Sequence, residues 1–213
     1  MNRFYKSAMY RTIQRIILAA ALFAGSSVLA AESPREQLQA TIDAALDVIY
    51  SDSSKTLSED EKRDKVRAIV EASYDFDVII RRAIGRNWRL MGEGEQARVL
   101  ELVKRLVIKA YVKGMEGKVR PEITLGDVVR ISDKRMEIQS SVDLDGKTYY
   151  VVYRLGRMAS GWQIYDIVAE NVSVVSNYRE QIDDHFRRGS GAELVTRLEE
   201  LLAKNEIDED TKI

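Results

Sequence analysis

No cysteine occurs among the 213 residues, and histidine occurs once, at His185. The first absence removes disulfides, thiol nucleophiles and cysteine metal sites. The second removes any metal site built on several histidines. The fold must therefore be held by packing alone. Proline is scarce: Pro34 and Pro121 both fall at boundaries between predicted elements. No glycine-rich loop opens a helix, so there is no phosphate cradle. Internal repeats and low-complexity segments are absent too. The N-terminal apolar run, Ile16 to Ala24, has nine residues, whereas a spanning helix needs roughly 20.

That short run has a telling context. Arg3, Lys6, Arg11 and Arg15 lie before it, small residues and Val28-Leu29-Ala30 follow, and no acid precedes Glu32. A charged stretch, an apolar stretch and a small-residue site in that order read as a cleavable signal peptide over 1–30, cut after Ala30 or, failing that, Ala31. A membrane anchor is the other reading, and the length of the run argues against it. Beyond residue 30 the chain carries 29 basic and 34 acidic residues, a net of −5. That balance disfavours a nucleic-acid binder and a purely electrostatic grip on anionic membranes. The remaining length suits one domain with a real core. We expect a single domain over 31–205 and a disordered acidic tail over 206–213.

Periodicity divides this domain into helices, strands and helices again. Ser33-Pro34 reads as an N-cap with proline at the first helical position, and Leu38, Ile42, Ala45, Leu46 and Ile49 follow at helical spacing. Ser58 with Glu61 forms a capping box ahead of Val66, Ile69 and Val70. Tyr74 to Ile84 makes a short amphipathic helix closed by Gly85, and Glu93 to Met115 makes the longest one. The period then changes from 3.6 to 2. Strands are expected over Ile123–Ile131, Arg135–Leu144, Lys147–Met158 and Trp162–Ala169, with Asp145-Gly146 as a tight turn. Helices return over Val174–Arg188 and Gly191–Lys204. The expected fold is α+β: a curved four-stranded antiparallel meander, covered on one face by helices from both ends of the chain. Curvature would leave a hollow between sheet and helices, where an apolar ligand would sit.

The inventory of chemistry is thin. Asp183, Asp184 and His185 are adjacent on a predicted helix, where near neighbours do not face one another, so they read as a solvated face rather than a base with its orienting acid. Asp208-Glu209-Asp210 lacks calcium-loop spacing. No catalytic residue, cofactor or metal site is nominated. What remains is apolar volume. On the third strand Tyr149, Val151, Tyr153 and Leu155 share one parity, with Arg154 on the other. Met136, Ile138 and Val142 share a face on the second strand, as do Trp162, Ile164 and Val168 on the fourth. Such faces are more often ordinary core than a binding pocket, and periodicity does not tell a filled core from a hollow one.

Three residue clusters carry a family resemblance. They are Tyr74-Asp75-Phe76 with Ile84-Gly85 and Trp88; Gly161 to Ile167; and Glu170 to Val175 with Asn177-Tyr178-Arg179 and Gln181. In this order, behind a signal peptide, they resemble the MlaC family, also called toluene-tolerance auxiliary proteins. Asn171 departs from the pattern, which usually has glycine there; the turn after the fourth strand is the feature this puts in doubt. The resemblance implies a periplasmic phospholipid carrier with no enzyme activity and no cofactor. It implies acyl chains held in a cavity and a headgroup near solvent. It also implies shuttling between an outer-membrane lipoprotein complex and an inner-membrane ABC transporter with a periplasmic substrate-binding subunit. A branch of the family implies a hopanoid-type lipid instead.

On this reading the cavity lining is Phe76, Ile80, Ile84, Leu102, Leu106 and Tyr111 from the helices. From the sheet it is Met136, Ile138, Val151, Tyr153, Leu155, Ile164 and Val168. The competing reading of each is plain core. Trp88 and Trp162 read as scaffold. Asp166 falls on the inward parity, so it must be hydrogen-bonded, to a helix N-terminus or to Arg179. Tyr178 and Arg179 either rim the pocket or start a solvated helix. Two rivals remain: an enzyme on an NTF2-like fold using Asp166, and a protein-only adaptor with a filled core. The expected species is a monomer that does not bind nucleic acid.

Overall fold

The first helix begins where Ser33 caps it. Its hydroxyl accepts the Glu36 backbone N–H, and the Glu36 carboxylate accepts that of Ser33. The same reciprocal box recurs at Ser58 with Glu61 and at Ser190 with Glu193. Each box satisfies donors that a helix start leaves orphaned. The computed structural model describes residues 33–204; the expected signal peptide and acidic tail lie outside the described residues.

Six α-helices and one sheet make up these residues: α1 (Pro34–Tyr50), α2 (Glu59–Ser73), α3 (Phe76–Ile84), α4 (Glu93–Met115), β1 (Glu122–Ser132), β2 (Arg135–Leu144), β3 (Lys147–Met158), β4 (Gly161–Ala169), β5 (Val172–Ser173), α5 (Val174–Phe186) and α6 (Gly191–Ala203). Short 3-10 turns over Asp52–Ser54 and Gly85–Leu90 join α1 to α2 and α3 to α4. No helix among the described residues is long and apolar enough to cross a membrane.

The sheet is an antiparallel meander in the order β1-β2-β3-β4-β5. It has five strands, not the expected four. The fifth exists because Glu170 and Asn171 both take positive φ, 49° and 64°. That is the backbone of a two-residue hairpin turn, and it returns Val172 against Ala169. Glu170 is held in this uncommon conformation from two sides. Its N–H donates to the Tyr150 carbonyl at 3.0 Å, and its carboxylate accepts the Tyr150 N–H at 2.7 Å. Asparagine tolerates the left-handed region better than most residues, so Asn171 serves where the family pattern has glycine. Asp145-Gly146 makes the equivalent turn between β2 and β3, as expected.

Bulges curve the sheet. The β1–β2 register shifts between Leu125 and Val128, and the β3–β4 register shifts between Arg154 and Leu155. An extra residue bends a strand and increases its twist. At the first bulge Arg35, from the start of α1, donates to the carbonyls of Leu125 and Gly126 at 2.6 and 3.2 Å. That covers part of an edge which would otherwise present open hydrogen-bonding groups.

The helices do not all cover the sheet. One buried cluster joins the inner faces of β2, β3 and β4 to α1, α2, Phe76 and the second half of α4. A second joins α3, the first half of α4, α5 and α6. Helix α4 is long enough to serve both. Of the C-terminal helices, α5 also packs against β4, with Val174 on the sheet cluster, while α6 packs on α4.

Candidate functional site

Alternation along β2 and β3 sets the inner face of the sheet. Met136, Ile138 and Val142 on β2 and Val151, Tyr153 and Leu155 on β3 are all buried there. Their registers pair them or offset them by two, as same-face neighbours must be. On β4 the expected parity holds only as far as Ile164. Tyr165 is the extra residue of the bulge: Leu155 pairs with Ile164, but Arg154 pairs with Asp166 and Tyr153 with Ile167. A one-residue insertion sends every later side chain to the other face. Ile167 and Ala169 are therefore the inward residues. Val168 pairs with Val152 on the outer face, a correction to its expected inward placement, and Asp166 joins Arg154 there.

The remaining twelve lining candidates are divided between the two clusters. Phe76, Tyr111, Met136, Ile138, Val151, Tyr153, Leu155 and Ile164 come together in the sheet cluster. Ile80, Ile84 and Leu102 lie in the second cluster, with Leu106 partly buried against it. Trp162 packs half-buried on the first cluster and Trp88 on the second.

Three tyrosines give the sheet cluster its chemistry. The hydroxyls of Tyr74, Tyr111 and Tyr153 are buried, and that of Tyr111 has no hydrogen-bond partner. Thr41 and Ser140 each donate to a backbone carbonyl, of Gln37 and Val151, and their oxygens remain acceptors facing Tyr74 and Tyr153. The three phenols sit close enough to feel one another electrostatically. Burial pushes each of them well above the usual tyrosine range, so they remain neutral donors. A buried unpaired hydroxyl costs about 1–3 kcal/mol, so that of Tyr111 in an apolar interior calls for an explanation. Spacing puts Tyr111 and Tyr153 on buried faces, and the family resemblance makes them lining residues. Tyr74 enters the sequence reading only as part of a motif, and nothing in its position signals a buried hydroxyl.

A cleft of about 490 Å³ opens where α2 ends, α3 begins and β3 turns into β4. Tyr74 and Phe76 line it and also belong to the sheet cluster, so the cleft reaches the core there. Its rim is polar. Lys104 bridges Asp77 at 2.7 Å and Glu71 at 3.3 Å. Burial depresses the Lys104 ammonium, but the bonds and charges of these two carboxylates outweigh it and raise its pKa. Gln163, buried, accepts the Asp75 backbone N–H at 2.6 Å and ties the start of α3 to β4. These partners come from four separate segments, and no local spacing announces them.

The candidates for catalysis disperse. Asp183 accepts from Asn87 at 2.6 Å, Asp184 pairs with Arg187 at 2.7 Å, and His185 bonds the Ser190 carbonyl at 3.0 Å. Asp166 is hydrogen-bonded on every side: by Arg154 at 3.1 Å, by the Ser173 hydroxyl at 2.8 and 2.9 Å, and by the Val175 N–H at 3.2 Å. A helix N-terminus does receive it, as anticipated. The arginine is Arg154 rather than Arg179, which instead donates to the Arg82 carbonyl at 3.0 Å.

A model of the MlaC family, described as MlaC protein, matches residues 39–200. Among solved structures the chain is similar to the phospholipid-binding protein from Ralstonia solanacearum in complex with a phospholipid. The two share 23% identity and a TM-score of 0.67, over 76% of this chain and 94% of that one. At that identity the likeness is one of fold. No curated protein matches the chain.

Proposed function

Because the chain belongs to the MlaC family, we propose that it is a periplasmic carrier of phospholipid, holding acyl chains between the sheet and α1, α2 and α4. Family membership across most of the described residues is the observation that carries this reading. The fold shared with a phospholipid-bound protein supports it. So does the distribution of chemistry: a broad apolar interior with buried phenols within it, and acids at the cleft that are taken up by the Lys104 ion pairs. The protein is read as a binding and transport protein, not an enzyme.

The energetics suit a carrier. Each buried methylene is worth about 0.8 kcal/mol, so acyl chains bind tightly without a headgroup motif. The sheet residues of the first cluster are buried against helices in the described state. Acyl chains therefore enter by parting α1, α2 and α4 from the sheet, which forms an NTF2-like cavity lined by the first-cluster candidates. Phe76, Tyr111, Tyr153 and Val151 are then on the lipid path. The phenols of Tyr74, Tyr111 and Tyr153 become donors for the ester region, and the 490 Å³ cleft is the mouth through which the headgroup meets water. Ligand binding selects the open state in proportion to its preference for it. A partner that prefers the closed, empty state drives release. The family reading makes those partners an outer-membrane lipoprotein complex and an inner-membrane ABC transporter, with the carrier moving between them as a monomer.

Loading tests this. Protein incubated with vesicles containing a fluorescent phospholipid, then separated from them, should retain label. Val151→Trp, which fills the interior, should lose most of it while keeping its fold by circular dichroism. Unlabelled wild-type protein would remove the carrier reading and leave an adaptor with a filled core.

A further inference from the structure

The stretch from Val78 to Gly92 contains Arg81, Arg82, Arg86 and Arg89 and no acidic residue. It forms the end of α3 and the 3-10 turn over Gly85–Leu90. Only part of this charge is balanced locally. Arg81 meets Asp77 at 3.5 Å and Arg86 meets Asp183 at 3.7 Å, both long contacts. The Arg86 side chain is still 83% exposed. Arg82 lies over the Tyr165 ring at 4.6 Å. Among the described residues no carboxylate is within ion-pair distance of Arg82 or Arg89. Helix α5, packed against α3, adds Arg179, whose guanidinium lies on Gly85 and on the Arg82 carbonyl.

At the end of the same turn Leu90 is 66% exposed. Trp88, two residues earlier, is half-buried with Arg81 stacked on its ring at 5.2 Å. A leucine at the tip of an arginine cluster gains little against a charged protein surface. Against a bilayer it enters the headgroup region while the arginines meet the phosphates. The chain beyond residue 30 has a net charge of −5, so a stretch with four arginines and no acid stands out against an acidic background. The asymmetry orients the molecule as it approaches.

We propose that the α3–Leu90 face is a membrane-docking surface that places Arg82, Arg86, Arg89 and Leu90 on an anionic phospholipid leaflet. The proposal goes beyond lipid carriage and stands without it, because docking requires no lipid to enter the core.

The chain has no cysteine, so Leu90→Cys gives a unique position for an environment-sensitive fluorophore. Protein from the periplasmic fraction, free of the N-terminal apolar run, is mixed with vesicles of phosphatidylglycerol and phosphatidylcholine or of phosphatidylcholine alone. The expected result is co-sedimentation and a blue shift only with phosphatidylglycerol, lost as salt shortens the Debye length. Arg89→Glu should weaken binding by about tenfold without changing the melting temperature, since Arg89 is exposed. Leu90→Ser should weaken it as well. The proposal is overturned by no binding to phosphatidylglycerol vesicles at low salt, or by unchanged binding of Arg89→Glu. Binding to an acidic peptide but not to vesicles would also overturn it, and would make this face a site for an acidic protein.

Discussion

Asp166 accepts a 3.1 Å hydrogen bond from Arg154, the residue directly across from it on the neighbouring strand. Arg154 in turn donates at 2.9 Å to Glu137, its partner on the other side. The three side chains form a charged row across β2, β3 and β4 on the outer face. Asp166 also accepts from Ser173 and from the Val175 N–H at the start of α5. It therefore joins the sheet to the C-terminal helices. Removing one partner of a buried charged network leaves the others uncompensated. Asp166→Ala should cost about 2–4 kcal/mol, with a fall in Tm of about 5–10 °C. Lipid content, corrected for folded fraction, should not change. A stable Asp166→Ala protein would show that the row is decorative.

Gly85 ends α3 with φ 61° and ψ −132°, a region almost closed to residues with a Cβ. An added Cβ would also come within 3.3 Å of the Arg179 guanidinium group. Gly85→Ala should lower stability by about 1–3 kcal/mol in urea unfolding. Arg179→Ala in the same background should relieve only the steric part, because the backbone strain remains.

Three buried phenols and the half-buried Tyr50 set the alkaline limit. Burial pushes Tyr50 up to about 12, and Tyr74, Tyr111 and Tyr153 higher still. In the unfolded chain all four ionise near 10. Below that pH both states are protonated and stability is unaffected. Above it the unfolded state loses protons that the folded state keeps, so stability falls as pH rises. Each tyrosine contributes about 1.4 kcal/mol per pH unit within its window. Unfolding free energies measured between pH 9 and 11, at roughly half-unit steps, should turn downward near 10. Tyr153→Phe should make the descent shallower, and an identical slope in that variant would be inconsistent with this assignment.

The open hydroxyl of Tyr111 supports a second test. In delipidated protein Tyr111→Phe removes an unpaired buried polar group and should raise stability by about 1 kcal/mol. In loaded protein the same change removes a donor from the lipid and should give no gain, or a loss. Equal effects in both forms would mean that the phenol does not meet the ligand.

Much of this fold can be read from residue order, and the exceptions have physical causes. The bounds of β2, β3 and α4 follow from alternation, from the Asp145-Gly146 turn and from an unbroken helical stripe. Three capping boxes mark helix starts. The face of β4 was legible only as far as Tyr165, because counting by twos cannot see an inserted residue. Strand β5 has two residues, too few for any period, and its turn uses glutamate where glycine or asparagine would be expected. The separation of Ile80, Ile84 and Leu102 from the sheet cluster was not legible at all. A helical stripe shows which side of a helix is buried, not which neighbour buries it. The orphaned phenol of Tyr111 belongs to the same class, since an unpaired hydroxyl is a property of the assembled core.

The central claim is that this interior holds lipid. Native mass spectrometry of the exported protein, purified without detergent and followed by solvent extraction, tests it most directly. The expected result is one protein species carrying a stoichiometric phospholipid, with Val151→Trp largely empty; a hopanoid in its place would keep the carrier and change its cargo. Wild-type protein with no bound lipid, under conditions in which another carrier of this family stays loaded, would contradict the claim.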